Sequence, residues 1–259
     1  MRDISISVVS HLQGRLVKML LADIEKFCKA CSIELILTLN LHEELEFSPD
    51  SFSFPVRVVR NARAQGFATN HNQAFAHATG SVFCVVNPDI RLNDDPFPAL
   101  LTCLQLSAVG VVAPVVTGEN GALEDSARHF PTPFKILCKF FGGCSGGDYI
   151  VKDEIIFPDW VGGMFMLFPR RVFETLRGFD QRYFLYYEDV DLCARLGLHG
   201  YKVALCPDAR VIHQARRDSH RQVKYLKWHL TSMLRFFCSA SFLKIFCLRL
   251  LRKYPTGAT

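Results

Sequence analysis

Apolar positions along the chain switch between two periods. Ile4 to Val9 reads as a buried strand, after which Leu12, Leu16, Leu20, Ile24, Phe27 and Cys31 recur at helical spacing. Ile33 to Leu39 is a second apolar run ending in Asn40. Leu41 to Pro55 is polar and irregular, and Val56 to Val59 is a third short strand leading into Arg60 and Asn61. An alanine-rich helix begins within Gly66-Phe67-Ala68-Thr69-Asn70-His71-Asn72 and stops at Gly80. Further strands are predicted over residues 81–86, 109–116 and 164–168, helices over 97–106 and 170–176, and two short last strands over 201–205 and 209–212. This rhythm predicts a parallel, three-layer α/β sheet, whose ligands lie at the carboxyl ends of the strands.

Several polar groups fall at those ends. Pro88 cannot continue a central strand, so the chain turns at Asn87-Pro88-Asp89 and presents two oxygen-bearing side chains. Such a pair can share a hard cation or simply open an Asx-Pro turn. The polar residues after Gly66 suit a phosphate at a helix N-terminus or an N-cap. His213 follows the last strand, as Asp89 nearly follows an earlier one. Gly162 and Gly163 would let a sugar ring or another segment approach the backbone, with Trp160 as a stacking face. Gly118 to Asp159, including Phe140-Phe141-Gly142-Gly143-Cys144-Ser145-Gly146-Gly147, fits no period and is predicted as a binding excursion, with Glu124, Asp125 and Arg128 as candidate contacts.

The densest chemistry lies between Gly178 and Arg195, GFDQRYFLYYEDVDLCAR. Phe184, Tyr186 and Tyr187 form an apolar wall beside Glu188, Asp189 and Asp191. A carboxylate against such a wall loses solvation and gains proton affinity, which makes it a better base near neutral pH. An acidic helix start accounts for the same letters without a ligand: Leu192, Cys193 and Leu196 form its buried stripe and Asp191 pairs with Arg195 one turn on.

Composition narrows the class. The chain is 49% hydrophobic, as a globular protein is, and its net charge of +5 is unevenly placed. From Arg216 onward 10 Lys or Arg face one acid, Asp218, while the first 215 residues are net negative. Tyr225, Leu226, Trp228, Leu230, Leu234 and Phe236 interleave with those cations, so residues 216–259 are expected to form an amphipathic helical tail. It suits an anionic membrane surface or its own domain, and no nucleic-acid motif accompanies it. Phe236 to Leu251 is too short and too interrupted by Lys244 and Arg249 to span a bilayer. Ten cysteines have no repeated spacing, and Cys28-Lys29-Ala30-Cys31 lacks a second pair to complete a zinc site. With no signal-peptide pattern, a cytoplasmic chain, at most peripheral on the inner face of the cytoplasmic membrane, is expected.

Taken in order, Gly66-Phe67-Ala68 with Asn72, Asn87-Pro88-Asp89, Trp160-Val161-Gly162-Gly163, the Gly178–Arg195 stretch and Pro207 to His213 resemble the family 2 glycosyltransferases of GT-A fold. The likeness is strongest to bacterial rhamnosyltransferase-like members that build surface polysaccharides such as the O-antigen of lipopolysaccharide. It covers residues 4 to 215 and implies a Rossmann-like, three-layer α/β fold with a central mixed, mainly parallel sheet. A nucleotide-sugar half over residues 1–117 and an acceptor half over 118–215 follow from it. The resemblance implies an inverting transferase in which Asp189 is the catalytic base and Glu188, Trp160, Gly162 and Gly163 face the acceptor. Asn40, Asn61, Gly66, Phe67, Asn72, Asn87 and Asp89 would face the donor, with Asp89 and His213 holding Mn2+ or Mg2+. The implied partners are a nucleotide-diphosphate sugar, dTDP-rhamnose or a UDP-sugar, and a saccharide or lipid-linked acceptor.

Two positions depart from the family pattern. Leu39-Asn40 stands where the family commonly has an Asp against the base, and Asn87 replaces the first acid of its DxD motif. The loss of that charge leaves a second expectation open, a catalytically weak member that binds a nucleotide sugar or a partner.

Overall fold

Residues 3–133, 148–214 and 223–251 are described by the structure, a computed structural model. The first half runs β1 (Asp3–Ser10), α1 (Gly14–Phe27), β2 (Ser32–Leu39), β3 (Val56–Arg60), α2 (Phe67–His77), β4 (Val82–Val86), β5 (Ile90–Arg91) and α3 (Phe97–Cys103). The second continues with β6 (Val109–Gly118), β7 (Ala127–Arg128), β8 (Trp160–Val161), β9 (Phe165–Pro169), α4 (Arg170–Thr175), α5 (Glu188–Leu198) and β10 (Lys202–His213). Two tail helices, α6 (Val223–Phe237) and α7 (Ala240–Leu250), follow. The Phe140–Gly147 run singled out from the sequence lies outside the described residues.

The main sheet has the order β3-β2-β1-β4-β9-β6-β10-β5. Strands β3, β2, β1 and β4 pair in parallel, as do β6 and β10. β9 runs antiparallel between β4 and β6 because the 118–159 excursion ends at the carboxyl edge and the chain re-enters from there. Short β5 closes the far edge antiparallel to β10.

Apolar residues on both faces of these strands require a layer on each side. On one face Ile4, Ile6, Val8, Leu35 and Leu37 pack with Leu20, Leu21 and Ile24 of α1 and Phe97 and Leu100 of α3. On the other, Phe83, Val85, Val111 and Phe168 pack with Ala74 of α2, Phe173 of α4 and Leu192 and Leu196 of α5. The expected three-layer, mixed and mainly parallel architecture is present.

Two elements differ from the sequence reading, and the tail takes one of the two courses that reading left open. α1 ends at Phe27, so Cys31 lies outside it, just before β2. The two last predicted strands are one, β10, whose pairing with β6 jumps from Cys206↔Pro114 to Arg210↔Val115. Pro207 has no N–H to give the ladder, so residues 207–209 bulge out and the strand resumes. The tail helices fold back on the domain: Phe236 and Ile245 are buried in the second core.

Candidate active site

The carboxyl edge of the sheet collects the chemistry. At the end of fully buried β4, the Asn87 N–H donates to the Met164 carbonyl (2.9 Å) and the Ile90 N–H donates to the Asn87 carbonyl (3.2 Å), forming the turn set by Pro88. The Asp89 carbonyl accepts from the Gln214 N–H (2.8 Å), which binds the turn to the end of β10. Here His213 Nε2 lies 3.3 Å from Asp89 Oδ2 and His213 Nδ1 lies 2.8 Å from Glu124 Oε2. Burial disfavours the imidazolium, but the flanking Asp89 and Glu124 outweigh it and raise His213 to about 9. The other oxygen, Asp89 Oδ1, is buried with no hydrogen-bond partner. Leaving a carboxylate oxygen unpaired in the interior is costly, so this atom marks a place for a positive or hydrogen-donating ligand.

A second carboxylate group faces this edge from α5. Tyr186 and Tyr187 immediately before it have φ 70° and 66°, left-handed for two successive non-glycine residues. That conformation costs about 1–2 kcal/mol per residue, and neighbouring elements hold it in place. The Phe184 carbonyl accepts from the Phe67 N–H at the start of α2 (2.9 Å), and the Leu185 carbonyl accepts from Ser232 Oγ of α6 (2.9 Å). Phe184 stacks on Trp228 at 4.6 Å, and Tyr186 and Tyr187 meet His229 edge-on at 5.3 and 5.4 Å. The double left-handed turn starts α5 so that Asp189 Oδ2 accepts from the Gly163 N–H (2.9 Å) while Oδ1 accepts from the Val190 N–H (2.8 Å). Glu188 is buried and its Oε2 has no partner. Burial first, then the charge of Asp189, pushes Glu188 well above the ordinary carboxyl range. Asp189 is raised by burial against the opposing pull of the Gly163 and Val190 N–H groups.

Asp191 has the other role open to it. It pairs with Arg195 (2.7 Å), whose remaining nitrogens donate to the Leu176 and Gly178 carbonyls at 2.7 and 2.9 Å. This side chain braces the turn before the aromatic wall and does not face the edge.

Met164 joins the two carboxylate groups, since its carbonyl holds Asn87 and the adjacent Gly163 holds Asp189. Gly162 donates to the Ser126 carbonyl (2.8 Å), and a Cβ on Gly163 would lie 3.2 Å from Phe67 Cζ and 3.6 Å from Asp189. The glycine pair therefore brings backbone to Asp189 and Phe67. Trp160 donates its indole N–H to the His129 carbonyl (3.0 Å), with the Arg128 guanidinium 5.9 Å from its ring centroid.

Four of the residues expected at the donor are engaged within the protein. Asn40 Oδ1 accepts from Asn61 Nδ2 and the Gln65 N–H, while its Nδ2 donates to the Gln65 carbonyl and faces His11 Nδ1. All four of its hydrogen-bonding positions are filled, so it braces the 61–65 loop. Asn72 accepts from the Phe179 N–H (2.9 Å) and donates to its carbonyl (2.8 Å), clamping the turn at Gly178 to α2. Gly66 is required by a close approach of protein, because a Cβ there would lie 2.5 Å from the Phe184 oxygen. Gly66→Ala is expected to destabilise the fold by about 1–3 kcal/mol through overpacking, seen as a lower denaturant midpoint at unchanged slope.

Asn61 also gives both amide hydrogens to the protein, to Asn40 and to Asn70 (2.7 Å). Glu124, expected from sequence as a substrate contact of the excursion, instead meets His213, while Trp228, His229 and Ser232 behind the tyrosines carry no sequence signal that assigns them to the site. Glu124 arrives on a hairpin returning to β6, where its N–H donates to the Val116 carbonyl (2.9 Å), a placement that no local spacing encodes.

A mixed sheet of this order, with Asp89, His213 and the Glu188–Asp189 pair at its carboxyl edge, defines a glycosyltransferase of GT-A fold. Comparison with known proteins gives the family. The model described as Glycosyltransferase like family 2 matches residues 50–228. Rhamnosyltransferase WbbL of Escherichia coli is 31% identical over 185 residues, which span 66% of this chain and 69% of that protein. The N-acetylglucosaminyl-diphospho-decaprenol L-rhamnosyltransferase of Mycobacterium tuberculosis is 30% identical over 148 residues, 53% of this chain but 48% of that enzyme. The crystal structure of GalNAc-T7 with UDP, GalNAc and Mn2+ has the same fold, with a TM-score of 0.65 at 17% identity, covering 84% of this chain and 44% of that one. The chain belongs to glycosyltransferase-like family 2 and is a rhamnosyltransferase-like member of it.

Proposed function

We propose that the chain transfers a rhamnosyl group from a nucleotide-diphosphate sugar to a saccharide or lipid-linked acceptor, with inversion, in the synthesis of a bacterial surface polysaccharide. The observation that carries this reading is the pair of carboxylate groups joined through Met164: Asp89 with an unpartnered buried oxygen, and Asp189 with a raised proton affinity. Asp189 takes the proton from the acceptor hydroxyl as that oxygen attacks the anomeric carbon. The bond from that carbon to the diphosphate breaks with its electron pair on the leaving group. A single displacement inverts the centre. Glu188, buried beside the base, orients the acceptor through the oxygen it leaves unpaired.

The residues at Asp89 fit a divalent cation. Asp89 Oδ1 is unsatisfied, an oxygen donor that suits Mn2+ or Mg2+, and His213, held as an imidazolium between Asp89 and Glu124, would join it only by giving up its Nε2 proton. When bound, such an ion would offset charge on the nucleoside diphosphate. Among the described residues no cluster of three or more acidic, His or Cys ligands is arranged to hold a metal. The donor's diphosphate is therefore needed to complete the shell, the more so with Asn87 in place of an acid. The similar rhamnosyltransferases support a rhamnosyl donor, and of the candidate nucleotide sugars we take dTDP-rhamnose as the one to test first.

Thermal unfolding of the full chain with Mn2+ and each nucleotide sugar tests the donor. At a ligand concentration one hundred times its dissociation constant, binding adds about 2.7 kcal/mol and raises the midpoint by roughly 5–10 °C. dTDP-rhamnose should give the largest shift. A shift without turnover on any acceptor would favour the weak-member reading that Asn87 motivates, and no shift with any nucleotide sugar would sink both.

A further inference from the structure

α6 has two faces with opposite environments. Trp228, Ser232 and Phe236 face inward onto the loop before Glu188. Val223, Leu226, Leu230 and Leu234, on the other side at i, i+3, i+7 and i+11, are 84%, 60%, 45% and 60% exposed. α7 has an exposed apolar row of its own, Leu243, Phe246 and Leu250, 52%, 45% and 69% exposed at i, i+3 and i+7. Soluble surfaces carry single apolar residues freely, but exposed apolar rows on two successive helices mark an interface.

We infer that the outward face of α6 and α7 docks on an anionic lipid bilayer, with the leucines entering the boundary between headgroups and acyl chains. Charge selects this occupant. Residues 223–251 contain no Asp or Glu, and besides Arg249, which pairs with Asp159, they carry Lys224, Lys227, Arg235 and Lys244. A second copy of the chain would bring these cations face to face across a twofold interface, which is repulsive. An anionic surface attracts them, by an amount that falls off within a Debye length. No described helix is long and apolar enough to cross a membrane, so both lie in the interface plane. A cavity of about 380 Å³ lined by Arg182, Thr231, Leu234, Arg235, Cys238 and Ser239 opens beside the stripe and gives a lipid phosphate a place next to Arg235. Because the inner side of α6 holds Phe184 and Tyr187, docking brings the Glu188–Asp189 pair to within about one helix diameter, ~10 Å, of the headgroups.

Flotation of the full chain with vesicles tests this without reference to sugar transfer. The wild type should float with phosphatidylcholine vesicles containing phosphatidylglycerol and stay behind with phosphatidylcholine alone. The triple change Leu226→Gln, Leu230→Gln, Leu234→Gln and the triple change Lys224→Gln, Lys227→Gln, Lys244→Gln should each weaken binding at least about tenfold. Added salt should weaken the wild type as well. The altered side chains are exposed, and the nucleotide-sugar thermal shift, measured on every variant, reports separately on folding and on the transferase reading. Failure of the wild type to float, or unchanged flotation of the leucine variant, overturns the proposal. So does a wild-type dimer that the leucine variant converts to monomer with no vesicle binding by either, since the occupant is then a second copy.

Discussion

Asp189→Asn is expected to lower the rate of transfer by about 10²–10⁴-fold, the usual contribution of a positioned general base, while the nucleotide sugar still binds. The amide can keep its oxygen on the Gly163 N–H, and it loses only the acceptor that Oδ1 offers to the adjacent Val190 N–H. Helix start and loop are therefore retained. Asp89 and His213 are untouched, so the nucleotide-sugar thermal shift should match the wild type. A folded variant with full transfer would remove Asp189 from the mechanism.

The pH profile checks the same residue by a different route. Burial raises the Asp189 carboxyl, so its basic form is lost, as pH falls, above the pH at which a solvated Asp would protonate. The acid limb of the rate profile should accordingly lie at higher pH than a solvated Asp would set. Stability should run the other way. The folded state holds protons on Glu188 and Asp189 more tightly than the unfolded chain does, so their contribution is largest at low pH and shrinks as pH rises through the interval between unfolded and folded values.

Long apolar runs made most strands legible, because a central strand covered on both faces has nothing polar to interrupt it; β4 reads Val-Phe-Cys-Val-Val and is buried throughout. Strand direction was not legible. β9 has the same composition as its parallel neighbours, and only the path of the excursion turns it around. The two-residue β5 is too short to show a period. At the edge, Asp89 and His213 lie together because each ends a strand, and parallel strands deliver their ends to one edge. The protein contacts of Gly66 and Asn40 were not legible for a shared reason. Sequence shows that a backbone must be approached closely or that an amide must be satisfied, but whether protein or ligand does so depends on segments far along the chain. Phe184 approaches Gly66, and Asn61 and Gln65 satisfy Asn40. The tail was legible as amphipathic, yet which of its faces grips Phe184 became visible only once the loop and the helix were in contact.

Removal of the Arg195 guanidinium should have the largest effect on stability. Arg195 meets Asp191 at 2.7 Å, with side-chain exposures of 20% and 3%, and also donates to the Leu176 and Gly178 carbonyls. Arg195→Ala leaves a buried carboxylate without its counter-charge and two carbonyls without donors, so the expected loss is about 3–5 kcal/mol, a fall in melting temperature on the order of 10 °C. Gly178 adjoins Phe179, which Asn72 clamps to α2, and Asp191 lies on the first turn of the helix that carries Asp189. Disorder there should lower transfer together with stability. Arg195→Lys keeps the charge but cannot serve three acceptors from one planar fork, and it should recover only part of the loss. The double change Asp191→Asn with Arg195→Met removes the stranded charge, so it should be less destabilising than the sum of the single changes. Additive losses in that cycle, or an unchanged midpoint for Arg195→Ala, would show that the pair does not brace the turn ahead of the helix that carries Asp189.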